Sequence, residues 1–218
     1  MKFFPSNIIQ EIEKKTEKIY PILFYGNESG LISKLITSIY NTLQKKLVVN
    51  NIKYFDYKKN KDEKLEKILK NSYLFSKINF IIVKNPQEQL VTELENIGEI
   101  NSVLIINGEN IRTTSKLKSY FENHQKFISV PCYQLDKNYI KKIINDFLKN
   151  NNITIQNEAY LYLVNNINED FLTLENELNK LSIFKKSSVT LDELQKLIVP
   201  KNIISADNYF FNCAVGNP

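Results

Sequence analysis

Tyr20-Pro21-Ile22-Leu23-Phe24-Tyr25-Gly26-Asn27-Glu28-Ser29-Gly30-Leu31-Ile32 is the stretch whose reading decides the fold. Ile22 to Tyr25 form a short, unbroken apolar run, which suits a strand buried on both faces. Gly26 ends the run, because glycine accepts backbone angles that other residues resist. Beyond it, Leu31, Leu35, Ile39 and Leu43 recur every four residues, the spacing of one helix face. Strand, tight turn and helix therefore follow one another within about two dozen residues.

Working outward, the same cycle repeats. A short amphipathic helix after Ser6 places Ile8, Ile9 and Ile12 together, ahead of the first strand. Ile52, Tyr54 and Phe55 suggest a second strand, and Asp62 caps a helix carrying Leu65, Ile68 and Leu69. Phe80 to Val83 make a third strand, after which Asn85 as cap and Pro86 in the first turn predict another helix. Val103 to Ile106 are a fourth strand, followed by Asn107, Gly108 and a helix bearing Leu117, Tyr120 and Phe121. Phe127 to Val130 complete a fifth, closed by Pro131. Short apolar strands alternating with helices predict an α/β domain with a mainly parallel five-stranded sheet covered on both faces.

From Asp136 the texture becomes helical. Asp136 caps a helix with Ile140, Ile143, Ile144, Phe147 and Leu148, which ends in Asn150 to Asn152. A second helix carries Tyr160, Leu161 and Val164, and a third carries Phe171, Leu174, Leu178 and Leu181. Thr190 and Glu193 form a capping box for a fourth, with Leu194, Leu197 and Ile198. The expected organisation is an α/β domain over 1–134, a small helical lid over 135–200, and the start of a further domain over 201–218. Pro131 to Leu135 is the hinge.

Composition narrows the chemistry. The 218 residues include 43% hydrophobic ones, enough for a real core. Net charge is +5, from 29 basic and 24 acidic residues, with lysines spread along the chain. That balance permits nucleic-acid contact without demanding it, and Lys58-Lys59-Asn60-Lys61 reads as a solvated loop. Tyr54, Phe55 and Tyr57 read as strand residues, not as a base-stacking platform. Two cysteines, Cys132 and Cys213, exclude a disulfide scaffold and a four-cysteine zinc site. His124 is the single histidine, so a two-histidine metal site is excluded as well; Cys132 and His124 are read as structural. No metal and no cofactor are expected. No apolar run is long enough to span a bilayer, and the N-terminus lacks a signal peptide's apolar stretch. A cytosolic (cytoplasmic) protein without membrane contact is expected.

An α/β domain followed by a helical lid is the architecture of AAA+ ATPases, within the P-loop NTPase class. A working member needs G-x-x-x-x-G-K-[ST] after its first strand, where amides and lysine cradle phosphate and the hydroxyl holds magnesium. Here Gly26-Asn27-Glu28-Ser29-Gly30 is followed by Leu31 and Ile32. The glycine spacing is wrong, lysine and Ser/Thr are missing, and Glu28 puts negative charge where phosphates would lie. The third strand should end in an acidic pair, yet Val83 is followed by Lys84 and Asn85. These residues alone leave two readings open: a decayed nucleotide site, and a tight turn in a fold that never bound nucleotide.

The order of several short motifs resembles the delta family of bacterial DNA polymerase III clamp loaders. Tyr20 to Glu28 is similar to that family's opening strand and glycine-acidic turn. Ser72-Tyr73-Leu74-Phe75-Ser76, before the strand ending in Lys84-Asn85, resembles its clamp-binding segment. Lys116-Leu117-Lys118 and Glu175-Asn176-Glu177-Leu178-Asn179-Lys180-Leu181 match as well. The resemblance runs from about residue 15 to 205. It departs at Tyr73, where a smaller residue is common, and at the family's third, collar domain, at whose threshold this sequence stops.

The resemblance implies a non-catalytic subunit of a DNA-directed DNA polymerase (a nucleotidyltransferase) that binds and opens the sliding clamp for loading onto primed DNA. It implies as partners the sliding clamp, the loader's ATPase subunits, delta-prime, and primed DNA through the complex. It also implies that Leu74 and Phe75 are the apolar anchors on the clamp. Periodicity by itself buries Phe75, seven residues after Ile68, and leaves Leu74, about 140° from Leu69, undecided. Gly26, Asn27, Glu28, Ser29 and Gly30 would be a non-functional remnant of the phosphate loop. Two other functions stay in view: a P-loop ATPase, opposed by the missing lysine and acidic pair, and a nucleic-acid-binding AAA+-like protein of another function. Delta-prime itself is disfavoured, since its zinc module needs four cysteines.

Overall fold

A computed structural model describes residues 1–14, 20–46, 49–60, 63–70, 78–97, 100, 102–184 and 186–200. The chain divides into two compact units, Met1–Tyr133 and Gln134–Pro218.

In the first unit five strands form one parallel sheet: β1 (Ile22–Gly26), β2 (Val49–Asp56), β3 (Ile78–Lys84), β4 (Ser102–Glu109) and β5 (Ile128–Pro131), ordered β2-β3-β4-β1-β5. The register pairs Ile22 with Ile105 on one side and Ile128 on the other, so apolar positions stack across the sheet. Helices α1 (Ile8–Lys14) and α2 (Ser29–Lys46) pack on each other, and α2 packs on β1, β2 and β4. Helices α3 (Leu65–Lys70), α4 (Gln89–Asn96) and α5 (Lys116–Asn123) supply Leu65, Leu90, Leu94, Leu117 and Phe121 to a core against Leu23, Tyr25, Ile81, Val83, Leu104 and Ile106. Alternation along each strand dictates this, because Leu23 and Tyr25 share a face while Ile22 and Phe24 share the other. Both sets are buried. The strands thus read as unbroken apolar runs because both faces of the sheet are covered.

Two strand ends differ from the sequence reading. β4 runs on through Asn107 and Gly108, expected to lie beyond it, because Phe24 and Tyr25 of β1 pair with them. Asn85 does not cap a helix: its φ is +48° and α4 begins only at Gln89. Asparagine tolerates this left-handed conformation because its short amide can bond locally, and Asn85 Nδ2 donates to Asp56 Oδ1 at 2.8 Å. The cap expected at Asp62 lies outside the described residues.

The second unit holds α6 (Lys137–Asn150), α7 (Asn157–Asn166), α8 (Phe171–Ile183) and α9 (Leu191–Leu197). Asp136 caps α6 by accepting from Tyr139 N–H at 2.7 Å. Thr190 and Glu193 make the reciprocal capping box on α9. Ile140, Ile144, Leu163, Leu174, Leu178 and Leu194 are buried within the unit, whereas Leu161 is exposed. Sequence reading missed a small parallel pair, β6 (Thr154–Ile155) with β7 (Ser188–Val189). Two residues a strand carry no alternation to detect.

His124, at the end of α5, has a measurable consequence. Its ring stacks on Phe127 with centroids 3.8 Å apart. Nδ1 accepts from the N–H groups of Lys126 and Phe127, each at 3.2 Å. Burial first, then the positive charges of the terminal amine and Lys126, hold the imidazole below its ordinary 6.5. The unfolded chain takes up a proton near pH 6.5 while the native one resists. The stabilisation is therefore complete above about pH 6.5 and is lost as pH falls through the native value. Melting curves recorded on both sides of that pH should show the parent losing stability in acid more steeply than His124→Gln. Equal slopes would remove His124 from the account.

Candidate functional site

The site where an AAA+ fold would hold nucleotide is the carboxyl end of β1. Only Asn27 and Glu28 separate Gly26 from α2, so no loop is long enough to wrap a phosphate. The short turn is also tied down on both sides. Gly26 O accepts from Asn110 N–H at 2.9 Å, beyond the end of β4. Glu28 N–H donates to Cys132 O at 3.1 Å, and Cys132 N–H returns to Tyr25 O at 2.6 Å. Gly26 has φ +138°, and a Cβ built there would sit 1.9 Å from Cys132 O. Only glycine allows the segment after β5 to lie this close.

Glu28 is 8% exposed and precedes the first turn of α2, where Ile32 N–H donates to its carbonyl at 3.0 Å. A carboxylate here complements the positive end of the helix dipole. Burial, and secondly the negative charge of Glu28, push the Cys132 thiol up to about 12. The cysteine therefore stays protonated and inert at neutral pH. A helix end that would attract phosphate is thus furnished with a protein carboxylate and closed by Cys132. Sequence reading placed Gly26, Asn27, Glu28, Ser29 and Gly30 here but missed Cys132, for no local motif joins it to Glu28. Ser29 and Gly30 lie in the first turn of α2.

The end of β3 is furnished differently from a magnesium site. Lys84 Nζ lies 4.8 Å from the centroid of the Tyr54 ring. Asn85 bonds Asp56, whose Oδ1 also accepts from Lys58 N–H at 2.9 Å. These hydrogen bonds, Asn85's first, hold the Asp56 carboxyl below its ordinary value, helped by Lys59 and Lys58. Sequence reading did not single out Asp56. The signal was present in Asp56-Tyr57-Lys58, since an aspartate closing a strand readily accepts from the amide two residues on. Of the three aromatics, Tyr54 and Phe55 lie in β2, while Tyr57, expected in the strand too, falls in the turn just beyond it; Phe55 and Tyr57 are buried, and Tyr54 is 58% exposed beside Lys84. Of Lys58 to Lys61, expected as a solvated loop, Lys58 and Lys59 are exposed in the turn after β2, and Lys61 lies outside the described residues. Leu74 and Phe75 also lie outside the described residues. Among those described, no cluster of three His, Cys, Asp or Glu side chains is arranged for a metal, and no helix is long and apolar enough to cross a membrane.

No protein-family model matches the chain. It is 28% identical over 204 residues to the "Probable DNA polymerase III subunit delta" of Rickettsia prowazekii, a match covering 91% of this chain. The chain spans 62% of that relative's length. Among solved structures it resembles the Bacillus subtilis DNA clamp loader delta protein, with a TM-score of 0.59 at 17% identity over 97% of this chain and 72% of that one. It also resembles domain III of the Thermotoga maritima replication initiation protein DnaA, with a TM-score of 0.53 at 17% identity over 88% of each chain. The Thermotoga maritima RuvB Holliday junction branch migration motor follows at 0.52 and 15%, covering 94% of this chain and 68% of that one. The structural likenesses establish an AAA+-like α/β fold. The likeness to delta read from the sequence recurs in both the curated relative and the clamp-loader structure.

Proposed function

We propose that this chain acts as a delta-type subunit of a DNA polymerase III clamp loader, binding and opening the sliding clamp for loading onto primed DNA. One observation carries the reading: an AAA+-like fold, similar to delta in sequence, whose nucleotide turn is shut by Glu28 and by the contact of Gly26 with Cys132. A chain so built contributes binding and not hydrolysis. The loader's ATPase subunits would supply the energy, with delta-prime completing the assembly. On this reading the chain has no catalysis of its own and belongs, as a cytoplasmic subunit, to a nucleotidyltransferase, the DNA-directed DNA polymerase.

Leu74 and Phe75 are the anchors in this proposal. Two adjacent apolar side chains entering a desolvated pocket supply most of an interface's affinity, while the surrounding contacts exclude water. Residues 135–200 would form the lid, and 201–218 would lead into the collar by which such subunits assemble.

The experiment that tests this reading has two readouts. The purified chain should co-elute with its organism's sliding clamp in gel filtration. The same preparation with magnesium and ATP should show no turnover above a protein-free control. Magnesium-dependent turnover, lost on substitution around Gly26 to Gly30, would replace the proposal with a P-loop ATPase. Absence of co-elution would remove the clamp as partner.

A further inference from the structure

Among the described residues of the second unit one carboxylate is buried, that of Glu177 on α8, which is 8% exposed. It follows Leu174 by three residues and precedes Leu181 by four, and both of these are buried. That spacing turns it toward the inside of the unit, where α8 otherwise carries Phe171, Leu174, Leu178 and Leu181. A carboxylate in such a place is costly unless it is paired and hydrogen-bonded.

Both requirements are met through one oxygen. Glu177 Oε2 lies 2.6 Å from Lys180 Nζ, one turn further along α8, and accepts from the Val199 N–H at 3.0 Å. Lys180 answers the charge locally. Val199 is a different kind of partner, because it lies 22 residues away, just past the end of α9.

Val199 has little else to hold it. The cap after α9, Ile198, is extended, with φ −93° and ψ +131°, and its N–H donates back to Leu194 O at 2.9 Å. The helical ladder stops there. Pro200 follows, which disfavours helical angles at Val199 and has no N–H with which to continue. Ile198 is anchored by its own side chain, 2% exposed, whereas that of Val199 is 54% exposed. What fixes Val199 is therefore its amide, and a hydrogen bond from an amide to a carboxylate is stronger than one to a neutral acceptor.

We propose that Glu177 is a positioning residue that pins the point where the chain leaves the helical unit, so that Val199 moves as one body with α8 and α9. Without it the exit would swing from Ile198 onward. With it, whatever follows Pro200 starts from a fixed place and in a fixed direction. The clasp is internal to the second unit and independent of clamp binding and of the turn at Gly26. Joined to the reading above, in which residues 201–218 lead toward a collar, it would set that collar's bearing on the lid; this step rests on that reading, and the clasp does not.

Nitrogen-15 relaxation and amide hydrogen exchange on the whole chain test it, with Val199 as the reporter. In the parent, the Val199 amide should have an order parameter of about 0.85, as rigid backbone does. In Glu177→Leu it should fall below about 0.6, and exchange at Val199 should speed up about tenfold, while the Leu178 and Leu194 amides keep the parent's protection. Glu177→Gln, whose amide oxygen can still accept, should stay near the parent. Lys180→Met should leave Val199 ordered, because the carboxylate remains, and Asn176→Ala, on the exposed side of α8, should change nothing. Binding to the sliding clamp should be the same in every variant. An ordered, slowly exchanging Val199 in Glu177→Leu would overturn the proposal. So would equal disorder in Lys180→Met, which would move the role to the ion pair. A Val199 amide already disordered and unprotected in the parent would overturn it with no substitution at all.

Discussion

Leu74→Ala and Phe75→Ala should each weaken binding to the sliding clamp by about thirtyfold, or on the order of 2 kcal/mol. The size follows from removing an apolar anchor from a desolvated pocket, where little water can replace it. Each variant should keep the parent's circular dichroism and melting temperature, since an anchor used on a partner is not used in the chain's own core. Periodicity after Ile68 offers the opposing account for Phe75, in which it packs inward. Phe75→Ala would then lower the melting temperature, by the few kcal/mol typical of a large core side chain, and leave clamp affinity nearly unchanged. Equilibrium binding and thermal melts on the same preparations separate the two outcomes. Lys59→Ala, by contrast, should alter little beyond the salt dependence of association.

Gly26→Ala should be the most damaging single-methyl change in the first unit. A Cβ at Gly26 would meet a backbone oxygen, Cys132 O, at 1.9 Å, and backbone cannot rotate aside as a flexible side chain can. The φ of +138° adds strain for any L-residue with a side chain. Together these should cost about 3 kcal/mol, which lowers a melting temperature by roughly 10 °C in a domain of this size. Gly30→Ala, in the first turn of α2, is the control. Alanine is the better helix former, so this variant should melt at or slightly above the parent's temperature. A Gly26→Ala protein that melts with the parent would mean that the turn is not closed on Cys132, and the account of an occluded nucleotide site would fall with it.

The parts of the fold that were legible are those where periodicity and burial agree. Ile22 to Tyr25 and Phe80 to Val83 are continuous apolar runs because helices cover both faces of the sheet, and Thr190 with Glu193 announces a helix start within four residues. Local signals failed where long-range pairing decided the outcome. Asn85 and Pro86 resemble a helix start, yet the Asn85 side chain is drawn to Asp56 across the neighbouring strand end. Gly108 looks like a strand terminator, yet pairing with Tyr25 keeps it in β4. β6 and β7 were invisible, being too short for a pattern.

The site was legible by subtraction. Missing lysine, hydroxyl and acidic pair leave open, in the sequence alone, a decayed nucleotide site and a turn that never bound nucleotide, and do not say what stands in its place. That depended on Cys132 meeting Gly26 and Glu28 through the β1–β5 pairing, a contact between distant parts of the chain.

Clamp binding measured with and without nucleotide tests the central claim most directly. The sliding clamp is immobilised, and this chain is passed over it in buffer, then in buffer with magnesium and ATP. A delta-type subunit with an occluded nucleotide turn should bind the clamp with the same affinity in both. No binding in either, or binding that appears only with ATP, would contradict the account.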